Sequence, residues 1–193
     1  MKAVLMSIQP KWCELIVSGK KTVEVRKTKP KLEVPFKVYI YCTKDNTDIV
    51  PSRIWWKADE TGFKHILNGQ VIGEFVCDKI YDITPHFDTP FPNQYICGWE
   101  YGKEFDCLSF EELTSYLNGK KGYGWHISNL VIYDKPRELG KFHLPCNHKG
   151  DCVTCKHFEY FLDCSEGICS LIVGGLERPP QSWCYVERSE SDG

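Results

Sequence analysis

Residues 7–26 read SIQPKWCELIVSGKKTVEVR, and their spacing sets the local fold. Pro10 suits the first turn of a helix, where its missing N–H has no intrahelical partner to lose. Trp12, Leu15 and Ile16 fall at i, i+3 and i+4, which gives that helix one apolar face. Gly19 is placed to end it in a left-handed conformation. From Thr22 to Arg26 the pattern changes to alternation, with Val23 and Val25 on one face of a strand and Thr22, Glu24 and Arg26 on the other. Just upstream, Lys2 to Ile8 reads as a short buried strand.

Further strands are expected from Pro35 to Thr43, from Val71 to Cys77 and from Trp125 to Tyr133, with Pro136 ending the last. The run VIGEFVC at 71–77 is apolar on both faces and is expected inside a sheet. Ser109-Phe110-Glu111-Glu112 has the form of a capping box, opening a helix through Leu113 and Leu117 that stops at Gly119. Residues 44–69, with Trp55-Trp56, and 81–106, with three prolines, read as loop-rich insertions. Trp183 to Val186 reads as a final strand returning to the body. Strands outnumber helices without the regular alternation of a parallel sheet. The expected fold is α+β: a small mixed or antiparallel β-barrel with two or more flanking helices, over residues 1–140.

Composition bounds the rest. The chain has 193 residues, 42% hydrophobic and 13% aromatic, which excludes a disordered chain. No stretch approaches the roughly 18 uninterrupted apolar residues of a membrane helix. The apolar run before Gln9-Pro10 is too short for a signal peptide, so a cytoplasmic protein is expected. The net charge of −2 hides an asymmetry, because Lys20 to Lys31 holds six basic residues and one acid. Such a patch can bind phosphates on a slightly acidic protein, or simply guard a solvated edge strand.

There are eleven cysteines, an odd number that argues against a disulfide framework. Cys13, Cys42, Cys77, Cys97 and Cys107 are scattered, most in apolar runs where a free thiol acts as a small hydrophobe. The other six fall between Cys146 and Cys184, a composition shift that marks 141–193 as an appendage. Cys152-x-x-Cys155 has zinc-knuckle spacing, and Cys164 and Cys169 offer a second pair. One structural zinc is expected on four of Cys146, Cys152, Cys155, Cys164 and Cys169, with His148, His157 and Cys184 as spare ligands. A segment this short lacks an apolar core of its own, and metal supplies the missing free energy.

The series Gly19, Lys21, Glu24 and Arg26 resembles the G-x-K-x-x-E-x-R hallmark of the ASCH domain, a branch of the PUA-like β-barrel superfamily. The helix-then-strand context, the strand FKVYIYCTK at 36–44, QVIGEF at 70–75 and GYGWHISNLVIYDKP at 122–136 extend the likeness over roughly residues 1–140. The cysteine-rich tail and its Arg-Pro-Pro-Gln-Ser-Trp run are similar to phage and Gram-positive bacterial members. The resemblance implies binding of RNA or single nucleobases in a cleft beside the motif. Lys20, Lys21, Arg26, Lys27 and Lys29 would meet phosphates, while Tyr123, Trp125 or the Trp55-Trp56 pair would stack on bases. Glu24 and Arg26 could fix a polar ring edge through paired acceptors and donors, or merely pair with each other.

The alternative that the resemblance implies is an amidohydrolase acting on an N4-acylated cytidine. In that subgroup a lysine maps onto Lys21, a glutamate onto Glu74, and the threonine nucleophile onto Glu24, which carries no hydroxyl. Glu74 stands alone in an apolar strand with Ile72 and Val76 as its expected same-face neighbours. It therefore needs a cation, and Lys21 is the natural candidate. Lys21, Glu24 and Glu74 are then the catalytic candidates, and all of these readings require Lys21, Glu24, Arg26 and Glu74 to meet in one hollow.

Overall fold

The computed structural model describes residues 2–44, 68–86, 107–145 and 175–187, with the backbone of 54–56, 64–66 and 94–97. Eleven strands and two α-helices lie within these segments. β1 (Lys2–Ile8) runs into α1 (Pro10–Val17), and Gly19 follows at φ +74°, the left-handed turn expected of it. β2 (Val23–Arg26) and β3 (Phe36–Cys42) come next. β4 (Ile54–Trp56) and β5 (Lys64–Ile66) pair with each other, and β6 (Gln70–Cys77) and β7 (Ile80–His86) follow. β8 (Gln94–Cys97) precedes α2 (Phe110–Leu117), and then come β9 (Gly122–His126), β10 (Ser128–Arg137) and β11 (Trp183–Glu187). The capping box is complete: Ser109 Oγ accepts from Glu112 N–H, and Glu112 Oε2 accepts from Ser109 N–H.

The strands form a five-stranded sheet ordered β10-β6-β3-β1-β11 and a four-stranded sheet ordered β2-β9-β7-β8. The large sheet is mixed, since β1 and β3 run parallel while its other pairings are antiparallel. Among the described residues the pairing gives two sheets and does not close a barrel; the α+β class stands. Three element readings also change. The stretch 125–133 is not one strand: the chain breaks at Ile127, so that β9 and β10 enter different sheets. Pro136 does not end β10, which is an edge strand, where a missing donor costs no ladder bond. Part of 81–106 is sheet rather than loop, as β7 and β8 form a hairpin on β9.

Both faces of the large sheet are covered. Val4, Met6, Ile8, Val38, Ile40 and Ile72 face one core, shared with Cys13 and Ile16 of α1 and with Trp125. Ala3, Leu5, Tyr39, Tyr41 and Val71 face a second core, closed by Phe142 and Val186. α2 packs Leu113 and Leu117 on Val25 and Ile83, on one face of the small sheet. Among the described residues no helix is long and apolar enough to cross a membrane.

A bulge in β6 decides where Glu74 points. Tyr41 pairs with Val71 but Ile40 pairs with Gly73, so Ile72 is an extra residue and the alternation flips there. Glu74 consequently stands opposite Tyr39, on the face of the second core. Gly73 beside the bulge lets β10 approach closely, because a Cβ there would lie 2.4 Å from the Val131 carbonyl oxygen and 3.0 Å from Ile132 Cα. Gly73→Ala must push β10 away, and we expect it to cost about 1–3 kcal/mol of unfolding free energy in urea titration. Gly140→Ala, where an added Cβ meets nothing within 4 Å, is the control that should stay close to wild type.

Candidate functional site

The hallmark residues meet at the open end between the sheets. Glu24 and Arg26 pair in register with Trp125 and Tyr123, so they share the inward side of the small sheet. Lys21 enters from the turn after α1, where its backbone N–H donates to the Leu15 carbonyl. Lys21 Nζ lies 3.4 Å from Glu24 Oε2, and Arg26 Nη2 lies 3.0 Å from Glu24 Oε1. The side chains of Lys21, Glu24 and Arg26 are 2%, 6% and 11% exposed, so this is a buried ion cluster rather than a rim pair. Two cations flank one carboxylate, leaving a net positive charge at the floor.

Arg26 Nη2 also donates to the Ser7 carbonyl at 2.7 Å, while Arg26 Nε is buried with no hydrogen-bond partner among the described residues. An unmet donor of this kind costs about 1–3 kcal/mol, so stability alone does not account for the placement. Ser7 in turn holds the C-terminal strap. Its hydroxyl donates to the Pro180 carbonyl at 2.6 Å, and its N–H donates to the Ser182 carbonyl at 2.9 Å.

Above the cluster opens a cavity of about 780 Å³. Lys21, Glu24 and Arg26 form its floor, with Trp12 and Gln9 from the α1 end and Tyr116, Glu111 and Glu112 from α2. Ser7, Thr43, Gln181 and Ser182 add to the lining. Its size suits a nucleoside-sized ligand. Lys21 Nζ sits 5.0 Å from the centre of the Trp12 ring, and Lys11 Nζ lies 4.2 Å from the same centre. Lys11 also bridges to Glu112 at 3.0 Å, tying α1 to α2 at the rim. The Ser109 backbone N–H, and then Lys11, hold the Glu112 carboxyl below its ordinary range.

Behind the floor Cys13 is fully buried, and burial raises its thiol well above the ordinary value. The neighbouring Cys42 thiol and the Glu24 charge push it the same way. Cys77 is pushed up to about 12, again chiefly by burial. These thiols are inert packing groups, as expected for the scattered cysteines.

Two expectations fail. Glu74 does not join the cluster. Lys37 Nζ donates to one of its oxygens at 2.5 Å and Tyr133 Oη to the other at 2.5 Å, on the face selected by the β6 bulge. The expected partner Lys21 pairs with Glu24 instead. Burial and the Glu74 carboxylate together raise the Tyr133 hydroxyl above its ordinary value, so it stays a donor. Trp125 is not a stacking platform, because its ring is fully buried and packs edge-on to Phe36 at 5.6 Å. Tyr123 is partly buried against the same core, with Lys29 Nζ 4.9 Å from its ring centre.

Of the remaining basic residues, Lys20 is exposed beside the turn. Lys27 lies over Tyr116 at 4.9 Å, at the pocket's edge, and Lys29 reaches Asp82 at 4.0 Å. Cys146, His148, Cys152, Cys155, His157, Cys164 and Cys169 lie outside the described residues, as do the side chains of Trp55 and Trp56. Cys184 sits in β11 opposite Leu5, and burial pushes its thiol up to about 11. Among the described residues no three His, Cys, Asp or Glu side chains cluster to hold a metal.

The sequence reading missed Trp12, Tyr116, Gln9, Gln181 and Ser182 as pocket residues. Trp12 carried a usable signal, standing one turn before Ile16 on the helix that leads to the lysine turn. Tyr116 and Gln181 carried none, because tertiary placement alone brings α2 and the strap to the pocket.

Comparison with known proteins gives the family. A sequence model of the ASCH domain matches residues 6–116. A crystal structure of an ASCH protein from Zymomonas mobilis superposes with a TM-score of 0.52 at 18% identity, covering 96% of this chain and 88% of that one. A tyrosine-to-phenylalanine mutant of the Zymomonas mobilis protein gives 0.51 at 18% identity over 97% and 92% of the two chains. A serine-to-alanine mutant of it gives 0.50 at 17% identity over 96% and 89%. These likenesses carry the fold alone. No curated protein matches the chain.

Proposed function

The chain belongs to the ASCH domain family, and we propose that it is a nucleic-acid-binding module that takes an RNA base or a modified nucleobase into the pocket at Lys21, Glu24 and Arg26. The observation that carries this reading is the buried ion cluster at the floor of an open cavity of about 780 Å³. Buried donors and an acceptor side by side are costly in an apolar wall and useful for a polar ring edge. A phosphate is a poor occupant of the floor, since Glu24 is there and Glu111 and Glu112 line the approach. The backbone of a bound strand would instead lie outside, along Lys27 and Lys29 beside Tyr116 and Tyr123.

Filter binding of short single-stranded RNA across a salt series tests this. Affinity should fall linearly on a log–log plot, with roughly 0.7 of slope per phosphate neutralised. Lys27→Ala with Lys29→Ala should flatten the slope by about 1.4 units. Binding indifferent to ionic strength, or none, would contradict the reading.

Hydrolysis of an acylated cytidine is less well supported. The Lys21–Glu74 pair it needs does not form, because Glu74 is held by Lys37 and Tyr133. The cysteine spacing still argues for one structural zinc on four of Cys146, Cys152, Cys155, Cys164 and Cys169. Metal analysis of the purified protein should then find about one equivalent. Less than about half an equivalent, with folding unchanged in chelator, would overturn it.

A further inference from the structure

The floor of the pocket has an order. Lys21 Nζ flanks one Glu24 oxygen and Arg26 Nη2 flanks the other, so donor, acceptor and donor follow in sequence. We propose, building on the base-binding reading above, that this row selects the imide edge of a uracil-type base. In that pairing the ring N3–H donates to the Glu24 carboxylate, whose two oxygens retain lone pairs beyond those facing the cations. The carbonyl oxygens on either side accept from Lys21 and Arg26.

No other common RNA base presents acceptor, donor and acceptor in that order. Cytosine in the same pose sets the N3 lone pair against the carboxylate and its amine against a cation. Guanine offers a donor where the second carbonyl is needed. Adenine has only one donor beside one acceptor on its pairing edge. The charge agrees as well: two cations and one carboxylate face two carbonyls and one N–H. Arg26 is fixed for this task by its bond to the Ser7 carbonyl. Ser7 in turn joins the floor to the C-terminal strap, which lies outside the segment matched to the family.

The test is calorimetric titration of the full chain with uridine, cytidine, 3-methyluridine and N4-acetylcytidine, with oligouridine and oligocytidine alongside. Uridine should bind about tenfold or more tightly than cytidine, and methylation of N3 should cost a similar factor, because each change leaves buried polar groups opposed or unpaired. Glu24→Gln, whose carboxamide can turn either a donor or an acceptor to the ligand, should bring uridine and cytidine within about threefold of each other. Equal binding of uridine and cytidine, tighter binding of N4-acetylcytidine, or indifference to N3 methylation would overturn the edge assignment and leave the base-binding reading standing. Binding of oligonucleotides without preference for uridine would do the same. No binding of nucleosides or of oligonucleotides would overturn both.

Discussion

Glu24→Ala should lower the unfolding free energy by about 3 kcal/mol or more. The substitution leaves Lys21 and Arg26, 2% and 11% exposed, facing each other with no anion between them. Breaking a buried pair by removing one partner typically costs about 3–5 kcal/mol, because the remaining charge stays desolvated. Here two charges remain. Lys21 can swing toward the open cavity, which places the cost near the low end of that range. Glu24→Gln keeps the shape and an acceptor oxygen, and should cost less. Urea denaturation followed by tryptophan fluorescence measures both. A loss under about 1 kcal/mol for Glu24→Ala would mean that the cluster is solvated, like an ordinary surface pair.

Trp125→Ala should cost about 3–5 kcal/mol, the range for deleting a large buried aromatic side chain. The ring is fully buried and is an edge-on neighbour of Phe36. It also lies 5.7 Å from Trp183, whose indole N–H donates to Thr28 Oγ1. The cavity would therefore open beneath β11 as well as between the sheets. Trp125→Phe should cost far less, since it keeps most of the ring contact and removes an indole N–H that is buried with no partner among the described residues. Thermal unfolding separates the two variants. If Trp125 were instead a base platform, the alanine variant would keep its melting temperature and lose only RNA affinity.

Local chemistry made much of the fold legible. Pro10, Gly19 and the Ser109–Glu112 box bound the helices where their capping rules place them, because each acts on neighbours within a few residues. Long apolar strands such as 36–42 and 70–77 were equally plain. The misreadings have non-local causes. Alternation put Glu74 beside Ile72 and Val76, but the bulge at Ile72 reversed the face. The register shift against β3 that makes the bulge is a pairing between strands about thirty residues apart, which alternation within β6 does not show. The division of WHISNLVIY between two sheets is invisible in a continuous apolar pattern, since the break at Ile127 exists only because the sheets diverge there.

The site was legible in part for the same reason. Lys21, Glu24 and Arg26 lie within six positions on one turn and strand, so a local pattern suffices to bring them together. Glu74 and Trp125 were assigned by their chemistry alone. Burial makes Trp125 a core residue, and pairing makes Glu74 a partner of Lys37 and Tyr133. The pocket walls from α2 and the strap follow from long-range bonds such as Ser7 to Pro180, which no spacing announces.

The central claim is that the Lys21–Glu24–Arg26 cluster binds a base. Calorimetric titration of a short oligouridine into wild type and Glu24→Gln, each first shown to be folded by circular dichroism, tests it most directly. Wild type should bind, and the variant should lose about tenfold or more in affinity. Equal affinity in the two proteins would contradict it.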